Sequence, residues 1–360
     1  MGAIDKLTLN KLLKLGVDRG VSDIHFQVGG PPCYRIKGEL LKSKFDVLTP
    51  EATMSIAQIL LQGREVDLNR LFVEQDSSYS ILGISRFRVS IFRQRGNIGI
   101  IMRVVPFQIK EIEDLNLPPV IRDISNTRRG LIIVTGATGM GKSTTIASII
   151  DHINKTRQAH IVTIEDPIEF LFENKKSVIT QREVGTDTLN YQDAMMAVLR
   201  QDPDVIMLGE LRDAETANIC LKAAETGHLV VTSLHTPNAI STIKRYTGFF
   251  DPVRESMFLS RLAECLQAVV SLRLVRRADG SEVLPAVEIM RVTHTLQECI
   301  SDTNRHHEIM EHIAKGRDIY GMQTFDQHLL ELVKKKLISV EVAKTAASRP
   351  DEIQRALLLE

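Results

Sequence analysis

Three features of membrane or secreted proteins are absent from the sequence: a long apolar run, a close pair of cysteines and an N-terminal signal segment. The longest apolar runs, Leu131–Val134 and Val205–Leu208, are far shorter than the roughly 18 residues of a membrane-spanning helix. The 4 cysteines stand far apart, which excludes a zinc ribbon or a disulfide framework and favours reduced thiols in the cytosol. The first residues lack an apolar core followed by a cleavage site, so we expect a cytoplasmic protein that enters no membrane itself.

Neither sign of charge is in excess, because 45 Lys and Arg balance 45 Asp and Glu. A protein that wraps nucleic acid normally carries clustered positive charge, so we expect no nucleic-acid partner. The chain has 360 residues, and 43% of them are hydrophobic. This composition is enough for a sizeable core, and the length suggests two or three domains.

The sequence pattern predicts a small N-terminal α+β domain at residues 1–105. Leucines at helical spacing over residues 9–13 predict an amphipathic helix, and the alternating segments 85–92 and 98–105 are typical of two strands of a hairpin. Prolines and acidic residues over 106–119 indicate a linker.

Residues 120–360 show a repeated pattern of a strand followed by a helix. Apolar runs such as Leu229–Leu234, separated by helical segments, predict a parallel sheet that is covered by helices. One such segment is Lys142–Ile153, whose isoleucines recur at helical spacing. Beyond residue 250 the pattern is mostly helical and carries no chemical motif. The predicted fold class is therefore α/β, with a second, smaller α+β domain in front.

The most specific motif is Gly136-Ala-Thr-Gly-Met-Gly-Lys-Ser143, which fits the phosphate loop G-x-x-x-x-G-K-[ST]. Its glycines let the backbone approach phosphates, its amide N–H groups form an anion nest, and the following helix adds partial positive charge. Lys142 is predicted to reach the β- and γ-phosphates, and the Ser143 hydroxyl to ligate Mg²⁺. We therefore expect ATP and Mg²⁺ as cofactors. The predicted nucleotide-binding residues are Gly136, Ala137, Thr138, Gly139, Met140, Gly141, Lys142, Ser143 and Thr144.

Polar side chains follow the other predicted strands at the point where each strand ends. Glu165 and Glu210 follow two of them, and His235 follows a third. Ligands of a parallel α/β sheet bind at this edge, so these groups are expected beside the phosphate loop. We assign Glu210 to Mg²⁺ through water and Glu165 to the attacking water. The sequence does not distinguish this assignment from its reverse.

Two further interpretations of these polar residues are open at this stage. The acids, together with the supporting Asp166 and Glu169, could instead be caps at the starts of the next helices. His235 could contact the γ-phosphate, whereas His228, at the opposite end of its strand, is expected to be structural.

Further motifs lie in a fixed order along the chain and extend over nearly all of it. They are Ser22–His25, Ile164–Phe170 (IEDPIEF), Arg200–Val205 (RQDPDV), Gly209–Asp213 (GELRD), Thr226–Thr236 and Gly321–Gln327. Together with the phosphate loop, they resemble the secretion ATPases of type II secretion and type IV pilus machines, in particular the pilus retraction ATPases of the PilT and PilU type.

The resemblance implies a fold, an assembly and partners. It implies an N-terminal PAS-like domain, a RecA-like P-loop motor domain and a homohexameric ring that drives pilus retraction. The ring would act at the cytoplasmic base of the pilus on an inner-membrane platform protein, alone or with a paralogous retraction ATPase. In these ATPases two N-terminal arginines reach nucleotide bound elsewhere, and Arg88 and Arg103 match their motif, with Arg86 in reserve.

Two features bear on the branch of the family. Extension and type II secretion ATPases carry a four-cysteine zinc insertion that this sequence lacks, which favours retraction. Retraction ATPases commonly carry an AIRNLIRE stretch, where this chain has Thr293–Ile300 without either motif arginine. This departure fits an accessory or divergent paralogue, as does Phe325–Gln327. The alternatives are a secretion or DNA-uptake motor and an ATP-binding ring subunit with little turnover.

Overall fold

The chain divides into two compact units. The computed structural model describes residues 2–61, 74–81, 83–105, 109–280 and 283–358. The units comprise Met1–Gln108 with Glu169–Leu171, and Ile109–Ile168 with Phe172–Glu360. The start of the predicted linker, 106–108, lies outside the described residues. Residues 109–119 belong to the second unit, in which Ile112 and Leu117 are buried. The boundaries 1–105, 106–119 and 120–360 stay a prediction.

The first unit is an antiparallel sheet packed against two helices. In chain order its elements are α1 (Lys6–Asp18), β1 (Asp23–Phe26), β2 (Cys33–Ile36), β3 (Glu39–Lys42), α2 (Pro50–Leu60), β4 (Glu74–Ile81), β5 (Ser85–Gln94) and β6 (Asn97–Val105). The strand order is β3-β2-β1-β6-β5-β4. Burial alternates along β5, so one face of the sheet forms the core with α1 and α2 and the other face carries polar side chains.

The second unit contains the remaining strands and α-helices, together with two short 3-10 helices at Pro252–Arg254 and Thr303–Glu308. The strands and α-helices are α3 (Val120–Ser125), β7 (Gly130–Thr135), α4 (Lys142–Thr156), β8 (His160–Glu165), β9 (Val178–Glu183), α5 (Tyr191–Val198), β10 (Val205–Leu208), α6 (Ala214–Glu225), β11 (Leu229–Leu234), α7 (Ala239–Thr247), α8 (Glu255–Cys265), β12 (Leu266–Arg276), β13 (Val283–Arg291), α9 (His294–Ser301), α10 (Ile309–Lys315), α11 (Arg317–Tyr320), α12 (Phe325–Lys334), α13 (Val340–Ala346) and α14 (Pro350–Leu358).

The sheet of the second unit has the order β13-β12-β7-β11-β10-β8-β9. Neighbouring strands are parallel except for β13, which is antiparallel to β12. Each face of the sheet carries its own hydrophobic core, and this explains why all six residues of β7 and of β11 are buried. The predicted fold class is confirmed.

The prediction of a mostly helical segment beyond residue 250 is wrong for Leu266–Arg276 and Val283–Arg291. These two segments are β12 and β13, which extend the sheet beyond β7. Polar residues such as Ser271 and Glu288 interrupt their apolar pattern, and pairing with β7 across more than a hundred residues is not visible in local periodicity. Among the described residues, no helix is long and apolar enough to cross a membrane.

Candidate functional site

The phosphate loop connects β7 to α4 in a conformation that depends on glycine. Gly136, Gly139 and Gly141 all have positive φ. A Cβ atom at Gly136 would lie 2.8 Å from the carbonyl oxygen of Leu272, so the loop could not pass β12 with a larger residue there. Gly141 is the N-cap of α4 and offers no side-chain cap, which leaves the first amide N–H groups of the helix for an anion.

Lys142 is the first residue of α4, and its side chain folds back over the loop. Its Nζ donates hydrogen bonds to the carbonyl oxygens of Gly136 at 2.9 Å and Ala137 at 3.1 Å. The same Nζ lies 3.5 Å from Nδ1 of His235. By contrast, the Met140 sulfur accepts a hydrogen bond from the Leu274 N–H, so this side chain ties the loop to β12.

The structure places the predicted acids and His235 along one edge of the sheet. Moving outward from β7, the neighbouring strands are β11, β10 and β8. His235 directly follows β11, Glu210 is the second residue after β10, and Glu165 is the last residue of β8. His235 connects the loop to the acids, since its Nε2 lies 3.0 Å from Oε2 of Glu210. The phosphate loop, His235 and Glu210 therefore form one continuous line of contacts.

Glu165 is buried and held in one orientation. Glu165 is only 4% exposed to solvent. Its Oε1 accepts hydrogen bonds from the Thr163 hydroxyl at 2.7 Å and the Gln181 amide at 3.1 Å. Sequence reasoning missed both partners. Gln181 lies on β9, whose mixed polar sequence gave no strand signal, whereas Thr163 was recognisable as the residue on the same face of β8.

Glu210 is paired with a cation that sequence reasoning also missed. Arg212 bonds to the Glu210 carboxylate and, at 3.0 Å, to Oδ2 of Asp166. Its guanidinium also lies 5.5 Å from the centre of the Tyr191 ring, and burial raises the pKa of Tyr191. Arg212 belongs to the GELRD motif, so this motif was the feature of the sequence from which the pairing of Arg212 with Glu210 could have been predicted.

Residues other than the two glutamates cap the helices that follow these strands. The N-caps of α5, α6 and α7 are Asn190, Asp213 and Asn238. Glu165 ends β8 and Glu210 lies upstream of Asp213, so neither glutamate has that capping role. His228 contacts the carbonyl oxygen of Ala223 and the Thr226 hydroxyl, in agreement with a structural role.

The two predicted arginines lie side by side on the polar face of the first unit. Arg88 on β5 is directly opposite Arg103 on β6, and both are exposed. Arg103 donates a hydrogen bond to Asp23 at 2.9 Å, but the Arg88 guanidinium has no hydrogen bond or ion pair within the described parts of the chain. Like charges opposite each other destabilise a sheet unless an anion binds them.

Comparison with known proteins was decisive for the family. A family model described as "Type II/IV secretion system protein" matches residues 2–357. The chain belongs to this family. The match extends over nearly the whole chain, as the sequence motifs predicted. The predictions of the family and of a P-loop ATPase are therefore confirmed.

Two curated relatives of this type II/IV secretion system protein come from Pseudomonas aeruginosa. The type IV pilus retraction ATPase PilT is 38% identical, over 96% of this chain and 99% of its own length. The type IV pilus ATPase PilU is 35% identical, over 98% of this chain and 92% of its own length. A crystal structure of the pilus retraction motor PilT with bound ADP is 40% identical and superposes with a TM-score of 0.85, covering 96% of this chain and 98% of that one.

Proposed function

We propose that this chain is a Mg²⁺-dependent ATP hydrolase that works as a homohexameric motor in type IV pilus retraction. The carrying observation is the line of contacts from Lys142 through His235 to Glu210. It joins the phosphate-binding loop to acids at the edge where a P-loop enzyme performs its chemistry. The names of the relatives support pilus retraction as the output.

The loop residues fit a nucleoside triphosphate and its metal. The uncapped start of α4 and the glycines with positive φ leave backbone amide groups for phosphate oxygens. On binding, the Lys142 ammonium would give up its hydrogen bonds to two loop carbonyl groups and bond to phosphate oxygens instead. The Ser143 hydroxyl would hold Mg²⁺, which when bound neutralises phosphate charge. Both oxygens of Glu210 already have partners, Arg212 and His235, which supports contact with the metal through water.

The two glutamates differ in a way that supports separate roles. Glu165 is buried, and two donors fix its orientation, as required of a carboxylate that positions and polarises an attacking water. Glu210 is linked to an arginine and a histidine, and through His235 it is connected to Lys142 of the phosphate loop. We assign water activation to Glu165 and sensing of the γ-phosphate to His235.

The proposed enzyme is tested by the steady-state ATPase rate of the whole chain as a function of protein concentration, with the mass measured in parallel. We expect Mg²⁺-dependent phosphate release that rises steeply where the hexamer forms, because an incomplete site needs its neighbour. A hexamer without turnover would instead favour a nucleotide-binding ring subunit. Turnover that is independent of assembly would exclude a shared site.

Arg88 and Arg103 are proposed to complete the site of a neighbouring chain. Their juxtaposed charges support an anionic ligand, as does an Arg88 guanidinium that has no hydrogen bond or ion pair among the described residues. The guanidinium fork matches phosphate oxygens two at a time. An arginine supplied in this way contributes about 10³–10⁵ in rate.

Mixing two inactive variants tests action across the interface. Arg88→Ala and Glu165→Gln chains should each turn over slowly, but coexpressed mixed rings should recover activity. In a randomly mixed ring, roughly a quarter of the head-to-tail interfaces would combine an intact Glu165 with an intact Arg88. Phosphate release is measured on rings purified through a different tag on each chain.

Arg93→Ala is the matched control for this mixture. Arg93 lies on the same strand as Arg88 and donates to the Gly96 carbonyl oxygen at 2.7 Å, so its loss should leave turnover close to that of the unmodified protein. Mixed rings that stay inactive would show that Arg88 acts within its own chain or on nothing.

A second candidate is an accessory motor that works with a paralogous retraction ATPase. The chain is almost as similar to PilU as to PilT, and residues 293–300 lack the arginines of the retraction motif. Within this stretch Glu298 forms an ion pair with Arg305, so the surface carries an acidic side chain.

Deletion of the gene in the source bacterium distinguishes these functions. Fibres that persist without twitching would indicate a primary retraction motor, and weakened retraction would indicate an accessory motor. Loss of the fibres would indicate an extension motor.

A further inference from the structure

A buried carboxyl group lies in the sheet close to the phosphate loop. Glu288, on β13, is 1% exposed. In the sheet register it is opposite Ser271 of β12, which is in turn opposite Thr135 of β7. Thr135 directly precedes the phosphate loop, so a single strand, β12, separates Glu288 from the strand that leads into that loop.

The Glu288 carboxylate is connected to helix α7. Its Oε1 accepts a hydrogen bond from the backbone N–H of Ala239 at 2.8 Å and from the Ser271 hydroxyl at 3.4 Å. Its Oε2 has no hydrogen-bond partner among the described residues. Burial raises the pKa of Glu288 to about 7, although the Ala239 N–H and Arg273 act in the opposite direction. A buried acid is costly, and the partial positive charge of a helix N-terminus offsets part of that cost.

Helix α7 begins four residues after His235, and the connecting segment is held by its own hydrogen bonds. Ala239 is the first residue of the helix, and the Asn238 side chain caps it by accepting from the Ser241 N–H at 2.8 Å. The hydroxyls of Thr236 and Thr242 bond at 2.7 Å. These bonds connect the segment that follows His235 to the first turn of α7.

We infer that Glu288 is a positioning residue, which anchors the first turn of α7 to the sheet and thereby holds His235 between Lys142 and Glu210. This inference rests on the proposed ATPase function. By this inference the β12–β13 hairpin supports the site at two points. Glu288 of β13 holds His235 in place through α7, and β12 lies against the phosphate loop at Gly136. A displaced catalytic group can lower a rate about 100-fold without any loss of binding.

The first experiment compares Glu288→Ala with Glu288→Gln in the full chain. Alanine removes the acceptor of the Ala239 N–H, so kcat should fall about 10- to 100-fold while KM for ATP stays nearly constant. Glutamine keeps an oxygen in that place and should restore most of kcat. Equal kcat for the alanine variant and the unmodified protein would overturn the inference, and so would an equal loss in both variants.

Ala239→Pro removes the same hydrogen bond from the other side, and it keeps the test decisive if Glu288→Ala does not fold. Proline suits the first position of a helix, and the extended backbone of Asn238 is compatible with a following proline. The variant should lower kcat as Glu288→Ala does. Unchanged kcat in Ala239→Pro would contradict the role of this hydrogen bond.

A double-mutant cycle with His235→Ala separates positioning from a general loss of stability. If Glu288 acts through His235, adding Glu288→Ala to His235→Ala should lower kcat no further. A second, independent fall of the same size would overturn the inference. The failure of the proposed function is distinguishable, since the unmodified protein would then release no phosphate, whereas failure of the positioning role leaves that activity intact.

Discussion

Replacing Lys142 with alanine is expected to weaken ATP binding by roughly 100-fold or more, because a charge-assisted hydrogen bond to phosphate contributes about 1.5–3 kcal/mol and a neighbouring charge is lost as well. In the present conformation the Lys142 ammonium bonds to two carbonyl groups of the loop, so it already lies against the loop that is proposed to hold the phosphates. Affinity is measured by titration with a fluorescent ATP analogue, and ADP should no longer raise the melting temperature.

Lys155→Ala is the matched control for this experiment. Lys155 lies on the same helix, but its ammonium pairs with Asp151 at 2.7 Å and with Glu111. Its removal should leave nucleotide affinity unchanged. If Lys142→Ala bound ATP as tightly as Lys155→Ala does, the loop would not be the nucleotide site.

Replacing Glu165 with glutamine should abolish turnover and preserve ATP binding. The amide has nearly the same shape but is a poor proton acceptor, so the loss of general-base and orienting action should lower kcat by about 10²–10⁴-fold. The measurements are single-turnover hydrolysis and equilibrium binding of ATP. The variant should accumulate bound ATP, which can be separated from ADP by chromatography of the protein-bound nucleotide.

Glu183→Gln tests whether the position of the acid matters. Glu183 is opposite Glu165 in the sheet register and is equally buried, but its carboxylate accepts from the Ile168 N–H at 3.1 Å and the Thr186 hydroxyl at 3.1 Å. We expect this variant to hydrolyse ATP at nearly the unmodified rate. Normal turnover by Glu165→Gln would instead move water activation to Glu210, the assignment that the sequence left open.

The sequence predicted the placement of the candidate site residues wherever local chemistry determines that placement. The glycines, Lys142 and Ser143 are adjacent in the chain, and a buried strand followed by an amphipathic helix gave their context. Glu165, Glu210 and His235 each follow an apolar run, and the rule for parallel sheets was sufficient to place them on one edge. Their roles stay a prediction, as do those of Arg88 and Arg103.

The parts that escaped prediction depend on pairing between distant residues. Gln181 reaches Glu165 because β9 lies beside β8, and Glu288 reaches Ala239 because the chain returns to the sheet after α8. Neither contact leaves a periodic signal in its own segment. Segments with mixed polar and apolar residues are strands here because they pair with neighbouring strands of the sheet.

The opposed arginines of the first unit also have a consequence for its response to ionic strength. Arg88 and Arg103 repel each other, and dissolved ions screen this repulsion over a Debye length of about 10 Å at 0.1 M salt, compared with about 30 Å at 0.01 M. Moderate salt should therefore reduce this repulsion, although it also weakens the Arg103–Asp23 ion pair of the same sheet. A polyphosphate bound across the two side chains would offset the repulsion at far lower concentration, so the proposed role of the two arginines predicts that nucleotide stabilises the first unit.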